Sequence, residues 1–192
     1  TTGSNSDPDW SPDGTKIAFD GWRDDDNSYV ANIYVMDQDG SSVQQLTANR
    51  GLNFSPDWSP DGTKIAFSSN RDGFHNIYVM NQDGSSVQQL TANDNCGSRD
   101  PQWSPDGKRI VYSVGNATGE RSCSIPTGIA LILIDGSGFQ QLSAGFLPRW
   151  SPDGTQIIFS SSRWGETEIF SFDLTSSAVV SLGVEGFVSD TR

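Results

Sequence analysis

The sequence is poor in most of what reactive or membrane-embedded proteins rely on. It has one histidine, His75, and two cysteines, Cys96 and Cys123. A single histidine gives a Ser-His-Asp triad only one possible base and leaves no His-rich metal centre. The two cysteines have no metal-type spacing. Basic residues are also few, with 12 Lys and Arg against 24 Asp and Glu, a formal net charge of -12 over 192 residues. Without a basic stripe to neutralise phosphates, nucleic acid is excluded as a partner. No apolar run approaches the roughly 18 to 20 residues of a membrane helix, so no membrane span is expected. There is no Gly-x-Ser-x-Gly elbow, no His-Glu-x-x-His and no phosphate-cradling glycine loop. Thr1 opens the sequence without an initiator Met or a signal-peptide pattern, which reads as a processed or trimmed chain.

What remains is a turn-rich composition with enough apolar residues, 34%, for a core. Of the acids, 20 are Asp and four are Glu, and they stand beside 20 Gly and nine Pro. Aspartate is poor inside helices but competes well for turns through local side-chain hydrogen bonds. The composition therefore predicts many short strands joined by tight turns.

An internal repeat organises them. Ser-Pro-Asp-Gly begins at Ser11, Ser59, Ser104 and Ser151, each time after a Trp, with spacings of 48, 45 and 47 residues. Six positions after each Ser stands an Ile, and eight after it an aromatic: Phe19, Phe67, Tyr112 and Phe159. A second apolar run follows in each unit, and a third segment ends in Leu46, Leu90, Leu142 or Leu182. In the turn, Pro presets φ at the second position and Gly takes the exit conformation other residues avoid. Asn76 to Met80 is apolar on both faces, as a strand covered from both sides would be. Units of about 45 residues with four antiparallel strands, buried by their neighbours, describe propeller blades. The expected repeats run over about 8–55, 56–100, 101–147 and 148–192 of one domain spanning 1–192.

The run Trp58-Ser59-Pro60-Asp61-Gly62-Thr63-Lys64-Ile65-Ala66-Phe67-Ser68-Ser69-Asn70-Arg71-Asp72-Gly73, followed by Asn76 to Met80 and Gln89-Leu90-Thr91, resembles the TolB-type, WD-repeat-like β-propeller repeat. The resemblance covers essentially the whole chain, and the third repeat departs most, with Val114-Gly115-Asn116 where Arg is expected and an insertion to Thr127. It implies an all-β propeller in a periplasmic or secreted bacterial protein that acts as a docking scaffold. TolB-type propellers usually have six blades. Four repeats leave a closed four-bladed ring, half of a larger ring and part of a longer propeller as the open alternatives.

The turns are nearly the same in all four units and read as structural. The opposite connections vary, and loops carry function more often than strands do. These are Gly21 to Ala31, Arg50 to Ser55, Asp72 to His75, Asp94 to Asp100, Gly115 to Thr127 and Arg163 to Glu166. Trp22, Phe74 and Trp164 lie in them beside Arg23, Arg71 and Arg163, three arginines that share the position 12 residues after the turn Ser. Such aromatics could stack on sugar rings or seat a peptide; alternatively the arginines tie each blade to a neighbouring acidic turn and the aromatics cap it. Asp24, Asp25 and Asp26 could offer oxygens to Ca²⁺, but without EF-hand spacing a solvated acidic loop explains them as well. Asp7-x-Asp9-x-Ser11-x-Asp13-Gly14 imitates an alternating metal loop, but the second repeat has Ser55 in place of the first Asp and the third has Gln102 in place of the second, so it reads as a turn. Cys96 and Cys123 are expected to pair, both lying in polar, exposed loops, and to close a loop worth roughly 3 to 4 kcal/mol in chain entropy. Asn53-Phe54-Ser55 and Asn116-Ala117-Thr118 match a glycosylation acceptor pattern but carry little weight in a bacterial-looking chain.

Three functions follow as expectations. The first is a non-enzymatic scaffold that binds a protein or peptide partner on its variable face or in its central funnel, with a patch or pocket formed by Trp22, Phe74, His75 and Trp164. The second is a self-associating subunit, a homo-oligomer built through blade edges. The third is a carbohydrate-binding or accessory propeller of a secreted hydrolase or lyase, which His75 alone supports weakly.

Overall fold

A computed structural model describes residues 3–25, 28–48, 51–92, 96–115, 127–162 and 166–183. Sixteen strands and no helix occur among them, arranged as four sheets of four. The first sheet holds β1 (Gly3–Trp10), β2 (Lys16–Asp25), β3 (Ser28–Asp37) and β4 (Gln44–Gln45). The second holds β5 (Asn53–Trp58), β6 (Lys64–Ser69), β7 (Asn76–Asn81) and β8 (Gln88–Gln89). The third comprises β9 (Gly97–Trp103), β10 (Arg109–Gly115), β11 (Gly128–Leu133) and β12 (Gln140–Ser143). The fourth comprises β13 (Phe146–Trp150), β14 (Gln156–Ser161), β15 (Glu168–Asp173) and β16 (Val179–Ser181). Every sheet is an antiparallel meander in chain order.

The turn chemistry builds the first hairpin of each sheet. In the second sheet Gly62 N–H donates to Ser59 O at 2.8 Å, and Ser59 Oγ donates to Asp61 Oδ1 at 2.7 Å. Asp61 Oδ1 also accepts the Thr63 N–H at 3.0 Å, while Lys64 N–H donates to Ser59 Oγ at 2.9 Å. Gly14, Gly62, Gly107 and Gly154 all adopt φ between 68° and 70°, the left-handed region that favours glycine. Each turn carboxylate, Asp13, Asp61, Asp106 and Asp153, is held below its ordinary range, chiefly by the bond from its turn Ser.

Sheets then stack face to face. Ala18, Ile33 and Val35 of the first pack on Trp58, Ile65, Phe67, Tyr78 and Met80 of the second. The second meets the third, and the third meets the fourth, through the same positions. Aspartates fasten the first of these joints and the second from within: Asp9 Oδ2 accepts the Trp58 N–H at 2.7 Å, and Asp57 Oδ2 accepts the Trp103 N–H at 2.6 Å. The fourth and first sheets do not pack on each other among the described residues, so the four blades form an open arc rather than a closed four-bladed ring.

Two sequence expectations change. Gly21 to Ala31 is not a loop up to Asp25, because β2 and β3 continue their ladder to the pair Asp25 and Ser28, and Trp22 sits in β2 opposite Ala31. The strand formers Tyr29 and Val30 face Asp24 and Arg23 in that register, which extends the hairpin. The first strand of each later sheet also starts ahead of the repeat bounds, at Asn53, Gly97 and Phe146. Asn53 is buried and its amide Nδ2 donates to Ala31 O at 3.0 Å and Gly51 O at 2.9 Å, so it is no glycosylation acceptor.

Candidate functional site

The first strands β1, β5, β9 and β13 adjoin one another along the inside of the arc, while the fourth strands lie at the outer edge. Each first strand carries a bulge, and the residue at the bulge has a positive φ: 47° at Asp7, 52° at Ser55, 53° at Asp100 and 52° at Leu147. A proline follows in every case, Pro8, Pro56, Pro101 and Pro148. Left-handed backbone in non-glycine residues costs on the order of 1 kcal/mol each and gathers at functional sites. Bulges also re-aim side chains. Here they line a funnel of about 280 Å³ with Asp7, Asp9, Ser55, Asp57, Asp100, Gln102, Leu147 and Arg149.

Hydrogen bonds fix much of this lining. Ser55 Oγ lies 3.0 Å from Asp7 Oδ2 and 3.4 Å from Asp100 Oδ1, so one hydroxyl serves two carboxylates. Asp20 accepts from Ser6 Oγ at 2.6 Å and from the Ser55 N–H at 3.3 Å. Asp57 accepts from Gln102 Nε2 at 2.6 Å as well as from the Trp103 N–H. Burial, reinforced by the negative charge of Asp9, pushes the Asp57 carboxyl up to about 8, with the Trp103 bond and Arg149 opposing. Asp9 and Asp20 are raised too, in both cases mainly by burial. The funnel thus holds several acids beside one arginine, a surface suited to hydrogen-bond donors and positive charge.

The loop residues expected to form a site are placed differently. Arg71, Phe74 and His75 come together in the β6–β7 connection. Arg71 is committed to its own blade: Nε donates to Ser69 Oγ and Nη2 to Asn53 Oδ1, both at 3.0 Å, and the guanidinium lies over Phe67 and Tyr78 at 5.1 and 4.7 Å. The tie to a neighbouring acidic turn is therefore replaced by a tie to the blade's own first strand. Phe74 is exposed. The His75 ring packs at a tilt against Phe54, 4.8 Å between centroids, its carbonyl accepts the Ser98 N–H at 2.6 Å, and burial beside Arg99 pushes its imidazole down to about 4. It is a neutral ring at the joint between the second and third sheets.

Trp22 is half-buried within β2 rather than in a loop. Arg23, Asp24 and Asp25 continue the backbone of that strand. Asp26, Arg163, Trp164 and Cys123 lie outside the described residues. Among the described residues no three His, Cys, Asp or Glu are placed to hold a metal ion. Cys96, immediately before β9, is fully buried in the same core cluster as Trp103 and Tyr112 at the second joint, not in an exposed loop as expected.

The sequence points to a central funnel without singling out the residues that line it. The signal is present as a Pro two residues before each Trp, a further constant of the repeat, but the flanking residues differ among repeats. In sequence terms Asp7 and Asp9 read only as part of a turn.

Four-stranded antiparallel blades arranged about a polar funnel define a β-propeller. A family model described as TolB beta propeller domain matches residues 1–148, and the chain belongs to that family. The fold is similar to a structure assigned to TolB from Agrobacterium tumefaciens, with a TM-score of 0.75, 23% identity, and 92% of this chain and 64% of that one covered. TolB from Acinetobacter baumannii gives 0.73, 22%, 93% and 43%. A puromycin-hydrolyzing peptidase from Mycobacterium tuberculosis gives 0.69, 15%, 93% and 28%. At these identities the likeness shows the fold alone, and the chain spans less than two thirds of each of these proteins. No curated protein matches the sequence.

Proposed function

We propose that the chain is a non-catalytic scaffold that binds a protein or peptide partner in the bacterial cell envelope or outside the cell. One observation carries this reading. Around the funnel the backbone repeats four times while the side chains it presents change, from Asp7 through Ser55 and Asp100 to Leu147, and from Asp9 through Asp57 and Gln102 to Arg149. A rigid scaffold displaying a varied set of polar groups is what recognition needs, and its acids favour a basic or donor-rich segment of the partner. Trp22, Phe74, His75 and Trp164 would extend the contact. A Cys96–Cys123 disulfide belongs to the same proposal, because such bonds persist in oxidising compartments; intact mass before and after reduction tests it. The alternative of a hydrolase or lyase propeller draws on the peptidase likeness. It finds little help in His75, whose ring is packed against Phe54.

The test is selection of peptides on the immobilised chain, followed by titration of two variants. Asp7→Asn with Asp100→Asn, or alanine at Trp22, Phe74, His75 and Trp164, is expected to weaken the selected peptides about tenfold, which is about 1.4 kcal/mol. Peptides that bind both variants as tightly as the parent chain would end this reading.

A further inference from the structure

A contact that fills one end of the second joint has no counterpart at the third. At the second joint the Phe54 ring packs against His75, and the Ser98 N–H donates to the His75 carbonyl at 2.6 Å. One blade further on, Arg99 holds the repeat position of Phe54, Thr127 that of His75 and Gly145 that of Ser98. Gly145 makes no such bond among the described residues, and Thr127 is exposed. A cavity of about 300 Å³ opens here, walled by Arg99, Asp100, Ser113, Val114, Thr127 and Phe146. Asp100 also lines the funnel, so the two spaces adjoin.

Arg99 is the group this cavity leaves unanswered. Its Nε is cut off from water without a hydrogen-bond partner, and Asp100 forms no ion pair with it among the described residues. Other cations are engaged: Arg71 donates to Ser69 and Asn53, Arg149 to the Pro148 carbonyl and Lys16 to Asp37. Arg99 has the Phe54 ring, 5.7 Å from its guanidinium carbon. A cation-π contact supplies no hydrogen-bond acceptor, and a partly buried charge without one is costly. The planar fork of a guanidinium matches the two oxygens of a carboxylate. Ser113 adds a donor, since its Oγ accepts the Leu147 N–H at 3.0 Å and keeps its own proton for a ligand. Exposed Phe146 gives the cavity an apolar wall.

We propose that this cavity binds a carboxylate of the partner peptide, with Arg99 and Ser113 donating to its oxygens and the adjoining apolar side chain resting on Phe146. The inference rests on the partner-binding reading for the kind of ligand. It adds to the acidic funnel a neighbouring subsite for the opposite charge, so the segment recognised carries a basic group and a carboxylate close together. A chain terminus and an acidic side chain both offer that carboxylate.

Titration of the full chain with three small probes, followed by NMR up to about 10 mM, where millimolar Kd values are reached, tests it. The probes are N-acetylphenylalanine, its amide, and N-acetylglutamate α-amide, whose only carboxylate is on the side chain. At least one of the two acids is expected to bind about tenfold tighter than the neutral amide. Preference for the first acid assigns the site to a chain terminus, and preference for the second to an acidic side chain. Arg99→Met keeps the stem and removes the fork, so it is expected to abolish the difference between acid and amide. Asp7→Asn, in the funnel but outside the cavity, is expected to leave that difference unchanged while weakening basic peptides. A parent chain that binds the amide as tightly as both acids overturns the proposal without any variant, and so does Arg99→Met that keeps the preference. A chain that retains basic peptides through its funnel but treats acid and amide alike loses this inference alone. Acid preference in a chain whose basic peptides are indifferent to Asp7→Asn removes the funnel reading instead.

Discussion

The Ser-Pro-Asp-Gly turns and the bulges of the funnel are both repeated four times, but they repeat different things. At the turns the sequence and the backbone recur together: the same Ser-to-Asp bond of 2.5 to 2.7 Å and the same glycine φ close every hairpin. At the bulges only the backbone recurs, while the side chains pass from acid to hydroxyl to leucine and from acid to amide to arginine. Constancy of both marks a part that holds the blade together. Constancy of backbone alone marks a part that is free to be used. The aspartates follow the same division, since those in turns are exposed and held ionised, whereas Asp57 is buried and held toward its neutral form.

The sharpest way to test that division is to delete one aspartate on each side of it. Asp57→Ala removes the acceptor of two buried donors, the Trp103 N–H and the Gln102 amide, and is expected to cost about 3 kcal/mol. Urea unfolding checks the value, and a loss no larger than that of an exposed turn residue would remove the claim that the funnel acids lock the joints.

The two classes of acid should also respond oppositely to pH. Asp57 has a folded pKa of about 8, raised from 3.8, so its contribution is complete at low pH and drains away as pH rises toward 8. Asp9 and Asp20 shift in the same direction. His75 works the other way, because its folded pKa of about 4 lies below the ordinary 6.5 and its contribution is lost as pH falls between those values. The turn aspartates, shifted down, lose theirs only in stronger acid, below about pH 4. Between pH 6.5 and 8 the Asp57 effect is left with the least opposition. The chain is expected to lose up to about 2 kcal/mol across that window, and Asp57→Asn to flatten the profile. Denaturation midpoints at four pH values decide it, and an unchanged slope in the variant counts against the buried carboxyl as its source.

At the turns the expected effect is smaller. Asp61→Ala removes the acceptor for Ser59 and Thr63, but water reaches the freed groups, so a loss of about 1 kcal/mol is expected. The ratio of the Asp57 and Asp61 losses, from the same unfolding measurement, is the comparison expressed as one number.

What the sequence made legible follows the same physical line. Turn chemistry acts within five residues, so Ser59, Asp61 and Gly62 could be assigned a hairpin from the sequence alone, and the Trp spacing then supplied the blades. The joints depend on partners 46 to 49 residues away, such as Asp57 with Trp103 and Asp9 with Trp58. Nothing local distinguishes Asp57, which locks a joint, from Asp61, which closes a turn. Trp22 lies in a strand for a related reason: whether a polar run such as Trp22 to Asp25 continues a strand is decided by the register of the opposite strand, here Ser28 to Ala31. Arg71, which recurs 12 residues after the turn Ser as Arg23 and Arg163 do, is anchored on Asn53 of its own blade, a partner 18 residues away that no local pattern announces.

Leu147 offers the smallest effect and the most direct test of what the bulges are for. It stands at φ 52° where its counterparts are Asp7, Ser55 and Asp100, and its N–H donates to Ser113 Oγ at 3.0 Å. Leucine is a poor occupant of left-handed backbone, whereas Asn and Asp tolerate it through local hydrogen bonds. Its side chain is exposed, so packing does not compensate for the strain. Leu147→Asn should therefore stabilise the chain by roughly 0.5 to 1 kcal/mol, raising the melting midpoint by about 2 to 4 °C. If the bulge merely terminates pairing, that gain comes without any change in the peptides the funnel binds. If the four side chains form a recognition surface, the same substitution stabilises the fold and alters which peptides are retained, because it replaces the one apolar group in a ring of polar ones. A variant less stable than its parent would show that the leucine side chain has a contact of its own, and the bulge at β13 would then belong with the turns as part of the frame.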